Sequence, residues 1–133
     1  MVWTIITSGL VIRHRGKVYV LADGESRKFS WINGKYAIIC DLNEKAYIGE
    51  LEDLVKSFLR DMYDIAYKNK KRLEREIRRK DSEKLRQLLK EERERLETIQ
   101  KILKAIEEGK ARIELWTARQ IQNASRKGVA VFL

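Results

Sequence analysis

The chain has 133 residues, with 29 Lys and Arg against 20 Asp and Glu, so its formal net charge is +9. This length suits one domain with its own hydrophobic core. The single cysteine, Cys40, excludes a disulfide framework and a cysteine-rich zinc site. Because no apolar run is long enough to span a bilayer and no signal segment opens the chain, we expect a cytoplasmic protein without membrane association.

Residues 1–48 predict an antiparallel β-meander. Runs of β-branched and aromatic residues, the first over residues 2–6, alternate with turn pairs such as Ser8-Gly9 and Asp23-Gly24. The strongest hairpin signal is Asn33-Gly34 between two apolar runs, since this dipeptide tolerates the positive φ angles of a type I′ turn. We expect about four or five short strands in this segment.

Residues 50–109 predict an antiparallel αα-hairpin. Apolar residues recur at steps of three and four in two stripes, which is typical of two long helices packed along a narrow seam. The break is expected at Lys80-Asp81-Ser82, where Asp81 or Ser82 can cap the second helix, and Gly109 is placed to end that helix. The stripes contain Leu51, Val55, Phe58, Met62, Ile65, Leu73 and Ile77, then Leu85, Leu89, Leu96, Ile99, Leu103 and Ile106, with Glu92 in one polar slot.

Residues 110–133 predict a strand, a short helix and a C-terminal strand that rejoin the sheet. Residues 111–116 alternate with period two, Thr117 can cap a helix that begins at Ala118, and Gly128 can end it. The apolar residues 129–133 are expected to form a buried strand or an association surface. The predicted fold class is therefore α+β: a small antiparallel β-meander sheet that carries a long αα-hairpin within a single domain, residues 1–133.

The clearest candidate binding feature is the basic stretch from Lys68 to Lys80, which has a net charge of +6 in 13 residues. A row of cations along a helical rod matches a phosphate backbone, and counterion release supplies the affinity. We therefore expect a non-enzymatic protein that binds DNA or RNA through the basic half of the hairpin. The candidate contact residues are Lys68, Lys71, Arg72, Arg75, Arg78, Arg79 and Lys84.

Two alternatives to this interpretation stay open. The basic stretch can be a solvated helix face that pairs with Glu91, Glu92 and Glu94, because residues 50–109 together carry a charge of only +2. The alternative function is a protein-interaction module that associates through the hairpin and residues 129–133, either as a homodimer or as an inhibitor or adaptor of another protein.

Basic and aromatic residues also gather in the flanking β-rich segments. Aromatic side chains on an open sheet with basic neighbours can stack on unpaired bases, although such residues more often belong to the core. The aromatic residues are Trp3, Phe29, Trp31, Tyr36 and Trp116, and the basic neighbourhoods are Arg13, His14, Arg15 and Lys17 at one turn and Arg112, Arg119, Arg126 and Lys127 near the end.

An enzymatic role has little support in the sequence. There is no glycine-rich phosphate loop and no nucleophile elbow, so we assign no catalytic residue, metal ligand or cofactor. Asp23, Asp41 and Glu44 lie near predicted strand ends, where two-metal nucleases place carboxylates, and keep an enzyme as a third hypothesis. The abundance of Glu, Lys and Arg with few Asn, Gln and Met is typical of thermophile proteins.

Overall fold

The computed structural model describes residues 9–23, 27–31, 36–41 and 46–133. It confirms the α+β class and the helical hairpin, whereas the strand predicted over residues 2–6 and the Asn33-Gly34 turn lie outside the described residues. The elements are β1 (Gly9–His14), β2 (Lys17–Ala22), β3 (Arg27–Trp31), β4 (Tyr36–Asp41), β5 (Ala46–Glu50), α1 (Leu51–Arg79), α2 (Glu83–Glu107), β6 (Arg112–Trp116), α3 (Ala118–Arg126) and β7 (Ala130–Phe132).

The described strands form two sheets where the sequence predicts one meander. Strands β3, β4 and β5 form an antiparallel meander, and the other sheet has the order β6-β1-β2-β7. In this second sheet β1 pairs antiparallel with β2 and β6, whereas β7 runs parallel to β2. Turn signals indicate only where neighbouring strands reverse direction. They do not indicate that the two C-terminal strands flank the first hairpin.

Contacts divide the chain into two compact units, which we call the sheet unit (residues 1–55 and 105–133) and the hairpin unit (residues 56–104). Within the sheet unit, consecutive residues of β1 are buried, so this strand is covered on both faces as its continuous apolar run requires. Helix α3 covers one of those faces. The cluster on that face contains Val11, Val18, Val20, Ile121 and Ala124, with Trp116, Val129 and Ala130 packed against it.

Local signals in the sequence fix both ends of helix α3, and strand β7 follows it. Thr117 caps α3 in a capping box with Gln120, and Gly128 follows the helix with a φ of 73°. The tail then joins the sheet, because the Val18 amide donates to the Val129 carbonyl at 2.9 Å and the Leu133 amide to the Val20 carbonyl at 3.0 Å. The prediction of a short helix followed by a strand is confirmed.

The hairpin unit is built from α1 and α2, which have 29 and 25 residues. Ser82 caps α2, since its Oγ accepts a hydrogen bond from the Leu85 amide at 3.1 Å. The predicted stripe is wrong at Ile65, whose side chain is 57% exposed, because the step of four from Met62 brings Ala66 into the seam. The buried residues of this unit are Phe58, Leu59, Met62, Ala66, Leu73, Leu89, Leu96, Ile99 and Ile102.

Candidate nucleic-acid interface

The candidate contact residues all lie in the hairpin unit and are all exposed. Lys84 is in the first turn of α2, and the others lie on α1. Helical spacing places them on the side of α1 away from the buried residues Ala66 and Leu73. We call this set the basic face: Lys68, Lys71, Arg72, Arg75, Arg78, Arg79 and Lys84.

The positive charge of the protein is concentrated in the hairpin unit. Residues 56–104 hold 17 Lys and Arg against 10 Asp and Glu, a net charge of +7. The near balance of residues 50–109 comes from carboxylates that belong to the sheet unit, among them Glu50, Asp53 and Glu107. The acidic residues that balance the helices in the sequence are therefore at the ends of α1 and α2, outside the hairpin unit.

Ion pairs neutralise only a small part of the basic face. Lys71 pairs with Glu74 and Arg72 with Glu76, each at 3.9 Å, and both cations are exposed, so water weakens the attraction. The other members of the basic face form no ion pair with any residue that the structure describes: Lys68, Arg75, Arg78, Arg79 and Lys84. Their charges are available to an external anion.

The acidic residues of α2 do not neutralise the basic face, a possibility that the sequence left open. Glu91 accepts a hydrogen bond from Gln87 on its own helix at 3.4 Å. Glu92 turns Oε2 into a buried position where, among the described residues, it has no hydrogen-bond partner. Within the described chain, neither of these carboxylates nor Glu94 pairs with a cation of the basic face.

Two further groups of contacts in the hairpin unit surround Glu74 and Tyr67. Glu74 lies within 3.9 Å of Lys70 and Lys71 and within 3.8 Å of Arg93 on the other helix. The spacing i,i+4 indicates the Lys70 contact, but the Arg93 contact depends on the register of the two helices. Tyr67 is 42% exposed and has the Nζ atoms of Lys70 and Lys71 each 5.5 Å from its ring centroid, so an aromatic ring borders the basic face.

At the end of the hairpin, Asp81 is already neutralised. Arg86 donates from Nε to Asp81 Oδ1 at 2.8 Å and from Nη2 to Oδ2, a bidentate pair. The hydrogen bond and the charge of Asp81 raise the pKa of Arg86, so the guanidinium stays protonated. Among the described residues, Arg78, Arg79, Lys80 and Lys84 beside the turn form no ion pair.

The sequence also suggested roles for the basic residues around His14 and for three carboxylates near strand ends. His14 is buried at 6% exposure, whereas Arg13, Arg15 and Lys17 beside it are exposed. Glu44 lies outside the described residues, so the convergence of the three strand-end carboxylates, which an enzyme would need, is not tested. Over the described part of the chain, no group of three His, Cys, Asp or Glu side chains is arranged to hold a metal ion, and no helix is long and apolar enough to cross a membrane.

Comparison with known proteins gives no relative of this chain. No protein-family model matches it, and neither a curated protein nor a solved structure matches it significantly.

Proposed function

We propose that the protein is a non-enzymatic nucleic-acid-binding protein whose basic face contacts the phosphates of DNA or RNA. The observation that carries this proposal is that four cations on one exposed side of α1, together with Lys84 on α2, have no ion-pair partner among the described residues, while the hairpin unit has a charge of +7. Unpaired Lys and Arg side chains in a row release counterions when they meet a phosphate backbone.

The mechanism is electrostatic and independent of base sequence. On a helix, cations at steps of three and four lie on one side, so Lys68, Arg75 and Arg79 can follow one strand of phosphates. Arg side chains additionally offer two parallel N–H donors to one phosphate. Such contacts position a protein on nucleic acid without reading base edges.

The test is the salt dependence of binding to duplex DNA, single-stranded DNA and RNA. In the triple variant Arg75→Gln, Arg78→Gln and Arg79→Gln, we expect the slope of log K against log salt to fall by about 2 to 3, since each phosphate contact contributes roughly 0.9 on duplex DNA. Fluorescence anisotropy at several salt concentrations measures this slope. Absence of binding by the unaltered protein at low salt would overturn the proposal.

A matched control removes the same charge from the sheet unit. Arg112→Gln, Arg119→Gln and Arg126→Gln replace exposed arginines outside the hairpin and give the same net charge as the first triple variant. If only the overall charge attracts nucleic acid, both variants lose affinity equally. We expect the control to keep most of its affinity and its salt slope.

A second candidate function is a protein-interaction module, and the end of β7 favours it. Phe132 is 57% exposed in a strand at the edge of the four-stranded sheet as the structure describes it. An exposed apolar edge strand is a template for pairing with a second chain. Sedimentation of the unaltered protein and of Phe132→Lys distinguishes the two functions: a dimer that the substitution dissociates supports the module, and a monomer in both samples excludes a homodimer through β7.

A further inference from the structure

A cavity of about 290 Å³ lies in the sheet unit, beside α3 and the turn between β1 and β2. This volume is near the lower limit of small-molecule sites. Its residues come from four separate elements: Arg13 from β1, Trp116 from β6, Val18 from β2, and Asn123 from α3, with Lys127 directly after the end of that helix. The cavity therefore exists only in the folded sheet unit.

The lining combines an apolar surface with positive charge. Val18 and Ala124 are buried members of the core cluster, and the indole of Trp116 is packed against that cluster. Arg13 and Lys127 are exposed cations, and none of the described residues that line the cavity is a carboxylate. A ligand that fits this lining has a flat apolar part and an anionic group.

One carboxylate holds the aromatic ring and one of the cations side by side. Trp116 Nε1 donates to Glu114 Oε2 at 2.8 Å, and Arg13 Nη1 donates to Glu114 Oε1 at 3.5 Å. The first bond fixes the indole. The second is long, and the Arg13 side chain keeps 54% of its surface exposed, so its remaining donors can reach a ligand. The indole is thus preorganised, with Arg13 beside it, before any ligand binds.

Asn123 adds a polar group that can recognise the flat part of the ligand. Its side-chain amide offers both donors and an acceptor and makes no hydrogen bond with the residues that the structure describes. The neighbouring Gln120 differs, because its Oε1 accepts from the Thr117 amide at 2.9 Å in the capping box. Asn123 is therefore available to the edge of a base, which presents donors and acceptors in its plane.

We infer that this cavity binds one nucleotide, with the base against Trp116 and Asn123 and the phosphate at Arg13 and Lys127. The same chemistry belongs to a free mononucleotide and to a nucleotide unit of a single strand. The site lies wholly in the sheet unit. It therefore goes beyond the function proposed for the basic face and does not depend on it.

The test follows the Trp116 indole N–H and the Asn123 amide by NMR in the full-length, nitrogen-15-labelled protein. The probes are adenosine and uridine 5′-monophosphate, inorganic phosphate, and a single-stranded oligonucleotide of about 12 nucleotides, a length within known site sizes. Mononucleotides are expected to shift both signals. If the natural source is a single strand, the oligonucleotide shifts the same signals at lower concentration, whereas equal affinity for mononucleotide and strand identifies a free nucleotide.

Variants connect these shifts to the lining. We expect Trp116→Leu to weaken nucleotide binding by roughly 5- to 100-fold, the range that a lost base stack covers. Lys127→Gln is expected to weaken binding and its salt dependence, because a phosphate contact is lost. Arg119→Gln is the matched control, since Arg119 is an exposed cation of α3 outside the cavity lining. Circular dichroism and thermal unfolding identify any variant that fails to fold. In that case nucleotide binding is measured with Asn123→Ala, a substitution at an exposed position of the cavity lining.

Three results would overturn the nucleotide site. They are an absence of shifts with every nucleotide probe, equal binding of inorganic phosphate at the same signals, and equal losses in Lys127→Gln and Arg119→Gln. An oligonucleotide that shifts only hairpin signals removes the cavity proposal and leaves the basic face supported. Shifts confined to the sheet unit, together with an unchanged salt slope in the hairpin triple variant, support the cavity proposal and remove the proposal for the basic face.

Discussion

At the scale of single residues, Gly9 in β1 sets how closely α3 packs on the sheet. A methyl group at this position would overlap Ile121 Cδ1 and would lie 3.1 Å from the Ala22 carbonyl oxygen and 3.2 Å from that of Trp116. Both oxygens belong to strands paired with β1 and have little freedom to move. We expect Gly9→Ala to lower the free energy of unfolding by about 1–3 kcal/mol, as overpacking does, measured by urea denaturation.

The reason for this loss can be checked with a double-mutant cycle. Ile121→Val removes the Cδ1 atom that the new methyl group would overlap, and alone it costs roughly 0.5–1.5 kcal/mol. The double variant should therefore be more stable than the sum of the two single losses predicts. Gly49→Ala is the control, since a methyl group there has no atom within 4 Å in the described structure. Strict additivity would show that the overlap with Ile121 is not the cause.

At the scale of elements, the seam of the hairpin contains one unfavourable group. Glu92 lies at the step between the buried Leu89 and Leu96, and its Oε2 is buried without a hydrogen-bond partner among the described residues. A buried carboxylate oxygen left unsatisfied costs free energy. We expect Glu92→Leu to stabilise the protein by about 1 kcal/mol or more, because it removes that cost and continues the apolar stripe.

A second variant separates the two effects at this position. Glu92→Gln keeps the shape and polarity of the side chain but removes its charge, so it should stabilise less than Glu92→Leu in the same urea titration. A loss of stability in both variants would mean that the carboxylate makes a favourable interaction in solution, and the account of the seam would be wrong.

The elements also show which parts of the fold the sequence could predict. The ends of the helices were predictable because Ser82, Thr117 and Gly109 act on the backbone within a few residues of themselves. The sheet order was not, because the parallel pairing of Val18 with Ala130 joins distant segments that no local turn connects. For the basic face, helical spacing placed the cations on one side. Spacing also indicates the pairs of Lys71 with Glu74 and of Arg72 with Glu76. The contact of Arg93 with Glu74 could not be derived, because it depends on the register of the two helices.

At the scale of the whole molecule, the net charge of +9 is unevenly divided, with +7 in the hairpin unit and +2 in the sheet unit. Crowded like charges repel one another and destabilise the folded state. Arg75 has basic residues at all four positions three and four residues away, namely Lys71, Arg72, Arg78 and Arg79. Each such like-charge pair on a helix costs roughly 0.2–0.5 kcal/mol at low salt.

Arg75→Gln therefore separates a binding role from a structural role for the basic face. We expect this variant to be more stable than the unaltered protein at low salt, by up to about 2 kcal/mol for the four pairs, and to lose that advantage as salt screens the repulsion. It should bind nucleic acid more weakly under the same conditions, because one phosphate contact is lost. Thermal unfolding and anisotropy over one series of salt concentrations measure both effects. A charge that destabilises the fold by repulsion is expected only where an external anion compensates it. If the variant is instead less stable at low salt, Arg75 stabilises the fold and its presence does not indicate binding.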